Sequence, residues 1–219
     1  KDGSDPILLV LASDHLIKDS QQFLKSIAAA MDYAQKGKLV TFGVIPKSPK
    51  VGYGYIESID PLEIDSVVAS PISKFIEKPD IEKAKKLVSD PRFTWNSGMF
   101  LFKASVFLKE LEKFSPQIIK SCKKALKDDL LDMEFQRLDK EAFNDCPNIS
   151  IDFAVMEKTK LGVVLPLNVG WSDVGSWNSI WDVSKKDENG NVLIGNVITK
   201  DLNNCYIRSE SRLVVGMGI

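Results

Sequence analysis

The chain has 219 residues, 44% of them hydrophobic and 27% charged, which is the make-up of an ordinary folded domain and excludes a disordered chain. Its 29 lysines and arginines against 30 aspartates and glutamates give a formal net charge of -1, so no general basic field gathers nucleic acid, and a small-molecule partner is expected instead. The longest apolar stretches, such as Pro6 to Ala12, fall far short of the ~20 residues that span a bilayer, and no signal-peptide pattern opens the chain, so the expectation is a cytoplasmic protein with no membrane partner.

Ile7 to Ala12 is a continuous apolar run and predicts a strand covered on both faces, ending at the polar Ser13-Asp14-His15. That places the Asp14 carboxylate at the C-terminal end of a strand, where ligands gather in α/β sheets. Ser20 is a candidate cap for a helix whose apolar residues Phe23, Leu24, Ile27, Ala28, Met31 and Ala34 follow helical spacing up to Gly37. Lys38 to Gly43 reads as the next strand, completing a βαβ unit.

Pro46 to Ile56, rich in proline and glycine, predicts a structured loop running into a strand. Val67 to Lys78 predicts another strand, after which Asp80 caps a helix containing Ala84 and Leu87. Trp95 to Phe102 is a polar turn feeding an apolar strand. Ala104 to Phe114 and Pro116 to Leu131 read as two helices, the second with lysines 120, 123, 124 and 127 on a solvated face. Ser150 to Lys158 predicts a helix capped by Ser150, and Val163 to Leu167 a strand that delivers the chain to Gly170-Trp-Ser-Asp-Val-Gly-Ser-Trp177. Beyond Asp187 glycine, asparagine and β-branched residues predict short strands between tight turns. Alternating strands and helices make the whole an α/β layered domain.

Asp14 and Asp173 are carboxylates placed where a strand meets a polar or glycine-rich turn. Brought together they would suit magnesium, which takes one or two carboxylates and fills its shell with phosphate and water; each alone reads first as a turn or helix cap. Glu77-Lys78-Pro79 sets an acceptor for sugar hydroxyls beside a cation for phosphate, a weak signal by itself. Asn96-Ser97-Gly98 offers an amide, a hydroxyl and a close backbone approach. His15, the only histidine, has no nucleophile pattern beside it, and a structural or metal-adjacent role is expected over proton transfer. Cys122, Cys146 and Cys205 are odd in number, show no CxxC spacing and are read as ordinary free thiols.

Taken in order, Ala12-Ser-Asp-His15, Gly52-Tyr-Gly-Tyr-Ile56, Phe75-Ile-Glu-Lys-Pro-Asp80, Trp95-Asn-Ser-Gly-Met-Phe100, Ser150-Ile-Asp-Phe-Ala-Val-Met-Glu-Lys158 and Gly170 to Trp177 form a distinctive set. From about Asp5 to its C-terminus the chain resembles the bacterial mannose-1-phosphate guanylyltransferases, including those fused to a phosphomannose isomerase. The resemblance implies a Rossmann-like nucleotide-diphospho-sugar transferase fold with a mixed, mainly parallel sheet. Residues 1–187 would be the nucleotidyltransferase core and 188–219 a β-rich C-terminal segment.

The implied reaction is attack by a mannose 1-phosphate oxygen on the α-phosphorus of GTP, giving GDP-mannose and pyrophosphate with Mg2+ as cofactor. The resemblance makes Asp14 and Asp173 the magnesium ligands, and these two with Lys78 the catalytic set. Gly54 would meet the sugar through its backbone, Glu77 would bind sugar hydroxyls, Lys78 the 1-phosphate, and Asn96 the sugar. Asp152, Glu157 and Lys158 would lie at or just behind the sugar-phosphate site. Homo-oligomerisation is left open.

Three departures stand out. The family's glycine-rich segment, GGxGTRLWP followed by a PKQ-type lysine, has no counterpart in this chain, which by itself is therefore expected to be inactive. Ala12-Ser13 replaces the usual proline and alanine, and Lys50-Val51 the usual glutamate and threonine. Alternative readings are transfer to another hexose 1-phosphate from UTP or dTTP, or a noncatalytic sugar-nucleotide sensor. A longer parent could add mannose-6-phosphate isomerase activity.

Overall fold

The structure is a computed structural model that describes residues 4–126, 131–132 and 135–218. The chain forms two compact units, one comprising the residues up to Ala12 with Asp19–Val169, the other Ser13–Lys18 with Gly170–Ile219.

In the first unit, β1 (Ile7–Val10) is followed by α1 (Ser20–Gln35), β2 (Leu39–Val44), β3 (Tyr55–Ser58), β4 (Ser70–Ile76) and α2 (Ile81–Val88). Then come β5 (Phe93–Lys103), α3 (Ala104–Phe114), α4 (Pro116–Ala125), the short β6 (Leu131–Asp132) and β7 (Phe135–Gln136), α5 (Lys140–Asn144), a π-helix (Asp152–Met156) and β8 (Gly162–Leu167). Six strands form one sheet in the order β1-β5-β2-β8-β4-β3.

Every residue of β2 and of β8 is buried, as continuous apolar strands at a sheet centre should be. These two run parallel, Leu39 opposite Gly162 through Val44 opposite Leu167. The α/β class is as expected, and the sheet is mixed. Its other pairings are antiparallel, where the sequence reading expects mainly parallel neighbours. The reason is the 11-residue β5, which returns between β1 and β2 and holds them apart. Gly43 of β2 is required there, because a Cβ would run into Thr94 of β5 and Val164 of β8.

The core on one side of the sheet joins Leu39, Phe100 and Phe102 to Leu111, Ile119, Val155 and Met156, so α3, α4 and the π-helix pack on the strands. Phe102 stacks on Phe107 at 4.5 Å between ring centroids. Phe23 of α1 meets Phe42 edge-on.

Several expectations are corrected. β1 is an edge strand rather than a doubly covered one, and Leu8, Leu9, Val10 and Leu11 are exposed. The cap of α1 is Asp19, whose Oδ1 accepts the Gln22 amide at 2.9 Å, not Ser20. Leu24 and Met31 of that helix face outward, while Phe23, Ala30 and Ala34 are buried. The strand expected over 67–78 begins only at Ser70, with Val67 and Val68 exposed. The helix expected over 116–131 ends at Ala125, and 127–130, with Lys127, lie outside the described residues.

Asp80 does cap α2, its Oδ1 accepting the Lys83 amide at 2.8 Å. Asp80→Ala should therefore cost about 1 kcal/mol and lower Tm by about 2–4 °C, as for a domain of this size. A thermal melt checks this, and an unchanged Tm would mean that other contacts hold the helix start.

In the second unit an antiparallel bridge joins Leu16 and Ser172, with amide-to-carbonyl distances of 2.8 and 3.0 Å. It continues into α6 (Trp177–Val183), whose first amides are met by Ser176 Oγ accepting from Ser179 N. Four short strands follow in two parallel pairs: β9 (Val192–Ile194) with β11 (Tyr206–Arg208), and β10 (Val197–Lys200) with β12 (Val214–Met217). Asn191, directly before β9, is buried and takes Asp187, Leu202 and Cys205 as hydrogen-bond partners. Among the described residues no helix is long and apolar enough to cross a membrane.

Candidate functional site

Strand register builds the first cluster. Tyr55 of β3 is paired on one side with Ile76 of β4 and on the other with Trp95 of β5, both antiparallel. One step along each strand, Gly54, Glu77 and Asn96 therefore meet at the same end of the sheet, and the Asn96 amide donates to the Gly54 carbonyl at 2.8 Å. Gly54 has little room to be anything else: a Cβ would sit 2.7 Å from Glu77 Oε2. A side chain there would push Glu77 aside, which explains a glycine in terms of the carboxylate beside it.

The Asn96 side chain is held at both ends. Its Nδ2 donates to Asp152 Oδ1 at 3.0 Å and its Oδ1 accepts the Gly98 amide at 3.1 Å. Gly98 takes φ +67°, a left-handed conformation suited to glycine. Asp152 is supplied by the first residue of the π-helix, a one-turn form that recurs at functional sites. Where the sequence predicts an α-helix over 150–158, Phe153 N only reaches Ser150 Oγ at 3.5 Å, and the wider turn replaces it.

Charge is concentrated here. Lys78 Nζ lies 3.8 Å from Glu77 Oε1, with both side chains at least half exposed and free to meet a ligand. Lys78 adopts φ +40°, costly for a residue with a Cβ, and such strain clusters at ligand sites. Burial pushes the Asp152 carboxyl above its ordinary range, and the Asn96 hydrogen bond opposes that only in part. Glu157, exposed as a whole residue, is also pushed up, first by desolvation of its carboxyl and then by the negative charges of Asp152 and Glu77; Lys158 pulls the other way. The cluster thus holds three carboxylates and two ammonium groups around a fixed amide, a surface that can accept from hydroxyls and neutralise a phosphate.

The second unit holds the other expected pair. Asp14 stands two residues before Leu16 and Asp173 one residue after Ser172, so the single bridge brings their two segments side by side. Asp173 Oδ1 accepts the Gly175 amide at 3.3 Å. Val174, next to it, takes φ +50°, a rare value for a β-branched residue and a second mark of local strain. Two hard carboxylates without soft ligands fit a divalent ion that completes its shell with phosphate and water. Among the described residues no cluster of three or more histidines, cysteines or acids offers a full protein cage.

Sequence reasoning missed one arrangement. Trp171 Nε1 donates to His15 Nδ1 at 3.2 Å, with the rings edge to face at 5.2 Å. That bond makes Nδ1 the acceptor and places the imidazole proton on Nε2. The two residues are 156 positions apart, and nothing in their local sequence announces the contact.

The profile of the Nucleotidyl transferase family matches residues 1–190. The mannose-1-phosphate guanylyltransferase of Salmonella montevideo is 48% identical over 216 residues, which take in 97% of this chain and 46% of that protein. The protein of the same name from Escherichia coli K12 is 47% identical over 218 residues, 99% of this chain and 45% of that one. The chain thus spans about half the length of the curated relatives it matches. Among solved structures, one described as a mannose-1-phosphate geranyltransferase from Thermus thermophilus matches with a TM-score of 0.81 at 27% identity, covering 99% of this chain and 62% of that one. A mannose-6-phosphate isomerase from Helicobacter pylori matches at 40% identity and a TM-score of 0.66, covering 77% and 64%.

Proposed function

Because the chain belongs to the nucleotidyl transferase family, we propose that it serves the transfer of GMP from GTP to mannose 1-phosphate, with release of pyrophosphate. The observation that carries the sugar-phosphate part is the convergence of Gly54, Glu77 and Asn96 on one strand end, with Asn96 pinned to Asp152. The choice of mannose and guanine is supported by the mannose-1-phosphate guanylyltransferases that match 97–99% of this chain. The match over 1–190 supports taking residues 1–187 as the nucleotidyltransferase core and 188–219 as a β-rich appendage.

In this reading Glu77 accepts sugar hydroxyls, the Gly54 backbone lets the sugar ring approach, and the free face of the Asn96 amide bonds a further hydroxyl. Lys78 and Lys158 neutralise the 1-phosphate, while Asp152 and Glu157 stand behind them. The attacking phosphate oxygen is already ionised, so no general base is needed, and positioning with charge neutralisation supplies the rate. Nucleotidyl transferases generally use a divalent ion; Asp14 and Asp173 would hold Mg2+ here. When bound, that ion offsets the triphosphate charge and steadies the departing pyrophosphate.

Pyrophosphate release by the protein at its natural length, with GTP, UTP or dTTP and mannose 1-phosphate, tests the reading. Turnover confined to GTP is expected. Activity only with UTP or dTTP would move the protein to another hexose branch, and metal-independent binding without turnover would make it a sensor.

Lys78→Gln should raise the KM for mannose 1-phosphate by about 10–100-fold, the ~1.5–3 kcal/mol of a charged hydrogen bond. Rising salt should raise the KM of the unmodified protein more than that of the variant, narrowing the gap between them as the phosphate contact is screened. A KM unchanged by the substitution would take Lys78 out of phosphate binding.

A further inference from the structure

Helices α4 and α5 pack against one another in the first unit. The Asp139 amide, at the cap of α5, donates to the Ala125 carbonyl at 3.0 Å, and Lys124 Nζ of α4 lies 3.8 Å from Asp145 Oδ2 at the far end of α5. Each of these contacts sits beside a cysteine. Cys122 is one turn before Ala125 in α4, and Cys146 follows Asp145. The packing of the two helices brings these free thiols near enough for Cys146 to act on Cys122, one of them exposed and the other half-buried. The sequence reading treats all three cysteines as ordinary free thiols because they are odd in number and show no CxxC spacing; the helix packing brings this pair together across the residues between them.

We propose that Cys122 and Cys146 are a modification site, a dithiol that closes to an intramolecular disulfide in exchange with a small-molecule disulfide. The thiolate of one cysteine attacks a sulfur of the small disulfide and expels one thiolate, leaving a mixed disulfide. The second cysteine then attacks the protein sulfur and expels the other. Two protein thiols become one S–S bond, two small thiols are formed, and the two protons lost by the cysteines are taken up by the departing thiolates. Cys205, in the second unit, donates its thiol to the Asn203 carbonyl at 3.2 Å and has no part in the exchange.

The pair has a structural consequence. Cys146 is followed by Pro147 and then by the run that reaches Ser150 and the π-helix with Asp152. The disulfide fastens the start of that run to α4. Burial, and then the neighbouring Cys146 thiol, hold the Cys122 thiol above its ordinary range. Less of it is thiolate near neutral pH, so closure should quicken as the solution is made more alkaline.

The test is incubation of the protein with oxidised glutathione, followed by thiol counting, intact mass and peptide mapping without reduction. The expected result is the joint loss of two thiols, a mass lower by two hydrogens, and one cross-linked peptide pair containing Cys122 and Cys146. Cys205→Ser should behave the same way, whereas Cys122→Ser and Cys146→Ser should each retain a glutathione adduct on the remaining partner. Independent adducts accumulating on Cys122 and Cys146 in the unmodified protein would overturn the proposal. So would a cross-link that engages Cys205 or a second molecule.

Discussion

Asp173→Ala is expected to stop nucleotidyl transfer while leaving the fold standing. Asp173 lies in a partly exposed turn, and its Oδ1 accepts the Gly175 amide at 3.3 Å, a contact whose loss costs about 0.5–1.5 kcal/mol. In the proposed reaction the same carboxylate is one of two protein ligands for the divalent ion. Removing one of two leaves the triphosphate charge poorly offset, and kcat/KM should fall by about 10³-fold, equivalent to ~4 kcal/mol of transition-state stabilisation. Asp14→Ala should have a comparable effect, and the double variant should be little worse than either single one, because the two act on one ion. The comparison needs steady-state rates over a metal titration, with a thermal melt as the control. Full turnover by Asp173→Ala would remove it from the mechanism, and additive losses would separate the two aspartates.

The second large effect is expected at Asn96. Asn96→Ala takes the amide from Asp152 and from the sugar at once. The half-buried carboxylate loses its donor, which costs about 1–3 kcal/mol of stability, and the KM for mannose 1-phosphate should rise by at least about 10-fold. Asp152→Asn separates the two consequences, since an amide oxygen at 152 can still accept from Asn96 Nδ2 and hold it in place.

It should also change how stability depends on pH. The Asp152 carboxyl is raised by burial, so the folded chain binds its proton more tightly than the unfolded chain does. Its contribution is therefore fully present at low pH, and it is lost as pH climbs from the unfolded aspartate value of about 3.9 through the raised folded one. Asp152→Asn should flatten the stability profile in that window and gain stability above it. Denaturant melts from acid to neutral pH measure this. An unaltered slope would mean that Asp152 ionises in the folded chain as it does in the unfolded one.

How much of this could be read from the sequence depends on how local each feature is. The alternation of strands and helices was legible because burial imposes periodicity, and β2, β8 and the Asp80 cap follow it closely. Gly54, Glu77 and Asn96 could be singled out one by one from short motifs. Their meeting could not, since it depends on β3 pairing with both β4 and β5, a long-range register. The apolar run of β1 looked like a buried strand because composition reports what a strand could bury, and β1 lies at the sheet edge with Leu8 to Leu11 exposed. The π-helix at Asp152 was invisible for a related reason. One extra residue in a single turn leaves the apolar pattern of Phe153 to Met156 almost unchanged, yet it begins at the carboxylate that meets Asn96.

Label carried by GTP at its α-phosphorus, followed with the protein at its natural length, mannose 1-phosphate and Mg2+, shows whether a mannose 1-phosphate oxygen attacks that phosphorus. The label is expected in GDP-mannose, with unlabelled pyrophosphate released in equal amount. Label recovered only in GDP or GMP, with mannose 1-phosphate unchanged, would contradict it.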